Sequence, residues 1–154
     1  MMDIEAAGNS GEGSVTENSL APTQDFALEA LVGAINALGG AEVGITLHSS
    51  GLIVSGMLIS GRSYFEKLIE NLESSPDTGA HAFAQLFSPF QDMYANNEVT
   101  DAQKGAALLP TGYIHLRDAR TFSPTGQSLP GTLWRARLTE ITGWSLGNYT
   151  GPAA

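Results

Sequence analysis

Val43-Gly44-Ile45-Thr46-Leu47-His48-Ser49-Ser50-Gly51-Leu52-Ile53-Val54-Ser55-Gly56-Met57-Leu58-Ile59 is the stretch from which the fold can be read. Val43, Ile45 and Leu47 alternate with Gly44, Thr46 and His48, the two-residue period of a half-buried strand. Ser49-Ser50-Gly51 reads as a turn, and Leu52 to Ile59, rich in branched residues, as the returning strand of a hairpin. Gly56 stands mid-strand with no side chain to pack. A glycine there predicts a bulge or a sharp bend of the kind small barrels require.

Upstream, Leu28, Leu31, Val32, Ile35 and Leu38 form one apolar stripe at helical spacing. Asp25 suits the N-cap, Glu29 the first turns, and Gly39-Gly40 the stop. Downstream, Ser63-Tyr64-Phe65-Glu66 fits a capping box, opening a helix with an apolar face of Tyr64, Phe65, Leu68, Ile69 and Leu72. Residues 79–97 are helical in pattern through Phe83, Leu86, Phe87, Phe90 and Tyr94. Pro89 should break that run after Phe87, with Ser88 capping a short new helix. Residues 98–110 fit a short helix or a loop equally well.

The chain then returns to β character at Tyr113 to Arg117, passes a turn-rich stretch from Ser123 to Gly131, and ends in a long strand or strand pair from Leu133 to Trp144. Trp134, Ala136 and Leu138 would share one face, with Leu133, Arg135 and Arg137 on the other. Ile141 to Leu146 departs from this alternation, which predicts a bulge or turn near Gly143. The expected fold is α+β: a small, strongly bent antiparallel sheet or open barrel with an N-terminal helix and a helical insert at about 62–109. One domain should span 25–147, between a disordered acidic tail at 1–24 and a flexible C-terminus at 148–154.

A chain of 154 residues suits one core. Only 15% of residues are charged, so the surface is weakly charged and prone to self-association. The net charge of −9 is unevenly spread: residues 1–61 hold seven acids and no Lys or Arg. The C-terminal part carries Arg117, Arg120, Arg135 and Arg137 against Asp118 and Glu140. An acidic chain is repelled by nucleic acid unless a local basic patch dominates, and these arginines are the available patch. Having no cysteine, the chain offers no disulfide, thiolate nucleophile or thiolate metal site. The acidic start has neither the basic region nor the apolar stretch of a secretory signal, and no run approaches a membrane span. A cytoplasmic location is expected.

No motif of enzymatic chemistry stands out, so a binding protein without catalytic residues or cofactor is expected. Serines lie outside any G-x-S-x-G elbow, and Gly39-Gly40 and Gly51…Gly56 make no phosphate cradle. Glu66, Glu70 and Glu73 read as a solvated helix face. Trp134 and Trp144 read as core or interface residues. His48 and His115, with Asp118, could meet across the sheet as metal ligands; the plainer reading is two partly exposed strand histidines, and no metal is expected. Arg117, Arg120, Arg135 and Arg137 are either a surface salt-bridge ladder with Glu140 and Asp118 or a docking patch for an acidic partner.

The hairpin residues Ile45, Leu47, Gly51, Gly56 and Leu58 resemble the first half of an Sm-like motif, which implies a helix-capped bent barrel and, as an alternative function, nucleic-acid or ribonucleoprotein binding. A wider resemblance covers about half the chain, chiefly 44–66 and 113–147. Gly44 to Gly61 with Tyr64-Phe65-Glu66, Tyr113 to Arg120, Pro124, Gly126 and Pro130, Trp134 to Leu138, and Trp144 to Gly147 are similar to the gas vesicle accessory protein GvpU family. That resemblance implies a protein made alongside gas vesicles and located with them. It would promote their clustering or assembly by binding shell or other gas vesicle proteins and by self-association. It carries no catalytic residues, and no nucleic acid or membrane partner is expected.

Overall fold

The structure, a computed structural model, describes residues 25–96 and 111–151. The expected acidic tail at 1–24, the alternatives for 98–110 and the last three residues lie outside them. Asp25 caps the first helix, α1 (Phe26–Leu38), its carboxylate accepting from the amides of Ala27 and Leu28. Gly39 ends it at φ 67, a conformation that glycine adopts without strain. The hairpin follows as read: β1 (Val43–Ser49) and β2 (Leu52–Ile59) are antiparallel, with Ser49 opposite Leu52. Ser50 and Gly51 both take positive φ, the two-residue turn whose twist matches that of the strands.

Ser60 then begins α2 (Gly61–Glu73), one turn before the expected cap. Its hydroxyl accepts from the Ser63 amide and donates to the Gly39 carbonyl, while Asn36 accepts from the Gly61 amide. The end of α1 is thus tied to the start of α2. These long-range bonds select Ser60 over the locally adequate Ser63. A second correction concerns α3 (Thr78–Ala95), which runs through Pro89 unbroken. The missing N–H is tolerated because Phe87, Phe90 and Tyr94 stack on Phe65 of α2, and Pro89 itself faces solvent. Tertiary packing overrides the local penalty there.

β3 (Tyr113–Phe122), β4 (Thr132–Arg137), a 3-10 turn at Leu138–Glu140 and β5 (Gly143–Leu146) complete the chain. Of the long strand or strand pair expected from Leu133 to Trp144, the structure shows the pair, parted at Leu138 to Thr142. The five-stranded antiparallel sheet has the order β4-β3-β2-β1-β5. It is open: β4 and β5 are its edges and do not pair, so the expected barrel does not close. Of the bulge or sharp bend expected at Gly56, the structure shows a bulge, carried by the neighbouring strand β3. Between Ser55 and Met57 the register of β3 slips by one residue, and Asp118 takes φ 51. A Cβ on Gly56 would lie 2.8 Å from the Arg117 carbonyl oxygen and 2.9 Å from the Ala119 Cα. Glycine lets the bulged strand close on β2.

One face of the sheet meets α1. Leu28, Val32 and Ile35 pack on Ile45, Leu47, Val54, Leu58, Ile114 and Leu116, with Leu138 closing the end and Trp134 and Trp144 at the rim. Each such buried side chain contributes about 1.5–3 kcal/mol of transfer free energy. The other face carries α2 and α3 at its β3–β4 end. Elsewhere it is crossed by residues 147–151: Thr46 donates to the Gly147 carbonyl, the Tyr149 amide donates to Ser55, and the Tyr149 ring meets Phe122 edge-on.

Candidate partner-binding site

The four arginines singled out in the sequence do not form one patch. Arg117 leaves β3 beside the bulge and is held by Glu42, which precedes β1. Its Nε donates to both Glu42 oxygens at 3.0 Å and its Nη2 bonds Oε2, while Nη1 bonds Asp118. The Arg117 hydrogen bonds hold the Glu42 carboxyl below the usual range, and Glu42 in turn raises the Arg117 guanidinium. The salt-bridge reading therefore holds for Arg117, with Glu42 as the added partner and without Glu140.

Arg135 serves a different centre. Its guanidinium lies over the Tyr113 ring at 3.6 Å, within cation–π range, and its Nε is 3.1 Å from Nε2 of His115, its cross-strand partner. His115 is fully buried rather than partly exposed. Tyr64, Phe65 and Tyr94 surround it, with ring centroids at 4.8, 6.0 and 5.4 Å. Burial, reinforced by the Arg135 charge, pushes the imidazole down to about 3, so it is neutral at any ordinary pH. Burial also raises the hydroxyls of Tyr64 and Tyr94. Nδ1 of His115 is buried with no hydrogen-bond partner among the described residues.

Arg120 and Arg137 remain exposed and make no ion pair among the described residues. Arg137 lines an open cleft of about 500 Å³ with Tyr113, Arg135, Glu140 and the hairpin turn at Ser49–Ser50. The metal constellation does not assemble: His48 is exposed on β1, His115 is sealed beneath the α2–α3 pair, and no three ligand-type side chains converge among the described residues.

One surface was not anticipated. The apolar residues of α3 divide into two sets: Phe87, Phe90 and Tyr94 stack on Phe65 of α2, Phe90 with 43% of its surface still exposed, but Phe83, Leu86 and Met93 are 57, 58 and 49% exposed. The available signal was composition. α3 is apolar around too much of its circumference for a helix covered on one side.

The description "Gas vesicle protein GvpU-like" matches residues 25–149, from the cap of α1 to the tyrosine that closes on Phe122. The chain belongs to this GvpU-like family. No curated protein and no solved structure matches it. In this GvpU-like chain the match takes in every described helix and strand, including both arginine centres and the exposed stripe of α3. None of its described helices is long and apolar enough to cross a membrane.

Proposed function

We propose that this protein is a non-catalytic gas vesicle accessory protein that promotes vesicle clustering or assembly through protein–protein binding and self-association. The observation that carries the reading is the family match across the whole described fold. The structure adds support of a physical kind. Two of the four arginines are engaged by neighbours within the fold: Arg135 by His115 and Tyr113, Arg117 by Glu42. What remains for action is surface, namely Arg120, Arg137 and the apolar residues of α3. Of the four candidate arginines, these two are the ones for docking an acidic surface of the shell or of another gas vesicle protein, in the cytoplasm where vesicles are made. The acidic balance of the chain disfavours the nucleic-acid alternative.

Flotation tests the proposal. Purified protein mixed with isolated intact gas vesicles should rise with them on gentle centrifugation and make them clump under the microscope. The double variant Arg120→Glu, Arg137→Glu should float less, because it reverses the exposed charges and leaves the Glu42 and His115 contacts intact. Protein that stays wholly in the subnatant, or that co-purifies with RNA instead, would overturn the reading.

A further inference from the structure

We infer that the cleft holding Arg135 and Arg137 is a carboxylate-binding site, occupied in the free protein by the chain's own acidic N-terminal segment, residues 1–24. Ser49, Ser50, Tyr113 and Glu140 line the cleft with the two arginines. Arg135 is exposed, yet two contacts fix it: its Nε donates to His115 and its guanidinium lies on the Tyr113 ring. Neither arginine makes an ion pair among the described residues. A guanidinium held in place with its terminal amino groups free of ion pairs suits a carboxylate, which it can grip through two parallel bonds. A buried unsatisfied atom is uncommon, and here it belongs to the histidine that positions Arg135.

Charge and tether select the occupant. Residues 1–24 carry Asp3, Glu5, Glu12 and Glu17 and no Lys or Arg. The whole chain carries −9, so most of its surface repels this segment. The cleft attracts it, with two arginines against Glu140, whereas Arg117 is already held by Glu42 and Arg120 lies outside the cleft. Asp25, where the segment joins α1, accepts from Trp144 Nε1 at 2.8 Å, and Trp144 stands opposite Leu47, two residues from Ser49. Along that path Asp25 is within about 25 Å of the cleft. Glu17 and Glu12 precede Asp25 by eight and thirteen residues, spans of up to ~28 and ~45 Å, so both reach it.

A short tether gives these carboxylates an effective concentration of about millimolar, enough to fill a site that is weak toward free ligand. Filled by its own chain, the cleft is closed to an acidic partner. The contact therefore regulates the docking proposed for Arg137, and its biological meaning rests on that reading. A segment that fills the cleft in about nine copies of ten weakens partner binding about tenfold.

Because the chain has no cysteine, a nitroxide attached at Asn18→Cys reports on the N-terminal segment alone. In dilute full-length protein at low salt it should broaden the amide signals of Ser49, Ser50 and Arg137. The same label beside Glu12→Gln, Glu17→Gln gives the baseline for a tethered segment without those charges, and the excess over it measures the contact. Molar salt, with a Debye length of about 3 Å, should remove the excess, and so should Arg137→Glu, whose side chain is exposed. The glutamine pair, without the label, should bind isolated vesicles up to about tenfold more tightly than the natural chain. Broadening equal to the baseline overturns the inference. So does equal broadening of unlabelled molecules mixed with labelled ones, which would assign the cleft to a second copy. Excess broadening with no gain in vesicle binding by the glutamine pair overturns the regulatory role. Excess broadening in a protein that never floats would uphold the cleft contact and overturn the vesicle-binding proposal instead.

Discussion

Arg135 donates from Nε to Nε2 of His115 directly across β3 and β4, and that bond determines the state of the buried imidazole. Guanidinium can only donate, so Nε2 must accept and the ring proton sits on Nδ1. There it has no partner, at a cost of about 1–3 kcal/mol for a buried unsatisfied group. The surrounding aromatic rings and the Arg135–Tyr113 stack offset it.

The histidine makes stability depend on pH. Its folded value of about 3 lies below the ordinary 6.5, so between these limits the unfolded chain binds the extra proton. This contribution is complete above pH 6.5 and declines as pH falls, by up to about 1.4 kcal/mol per unit. Urea unfolding between pH 6.5 and 5, above the carboxylate range, should show the decline in wild type and a flatter profile in His115→Phe.

Arg135 and Glu42 should differ in weight. Arg135→Ala removes a cation–π contact and leaves His115 Nε2 without its donor, an expected loss of about 2–3 kcal/mol. Glu42→Gln weakens an ion pair whose partners are both 31% exposed, so the expected loss is under about 1 kcal/mol and shrinks further in salt. Denaturation midpoints in low and high salt would check both.

Gly56→Ala should destabilise the fold by about 1–3 kcal/mol, as overpacking does. Replacing a strand glycine ordinarily helps. Here the new methyl would strike the Arg117 carbonyl and Ala119 backbone atoms, which belong to the bulge and cannot rotate aside. A stability equal to wild type would refute this account of Gly56.

Ser60→Ala should cost about 1–2 kcal/mol, the upper range for an N-cap, because it also severs the bond to Gly39. Ser63→Ala should cost less. The reverse order in thermal melts would restore Ser63 as the effective cap.

Several elements were legible from residues alone because their signals are local. The Asp25 cap, the Gly39 stop and the alternation of β1 each depend on neighbours within one or two turns of chain. The apolar helical pattern of α3 through Phe83, Leu86, Phe87, Phe90 and Tyr94 was legible, but which side of it stayed open was not. That division depends on where Phe65 of α2 stands. Likewise Pro89 was a sound local breaker whose effect was overruled by packing.

By itself, then, the sequence determined α1, the hairpin, the α+β class and the gas vesicle family resemblance, since dihedral preference and side-chain period act over a few residues. Only the tertiary structure decided that the sheet stays open, that the bulge at Gly56 is carried by β3, and that two of the four arginines are engaged by neighbours within the fold. The physical reason is that these outcomes depend on strand order. Arg117 meets Glu42 across 75 positions, and Arg135 meets His115 across 20, only once β3 lies between β2 and β4.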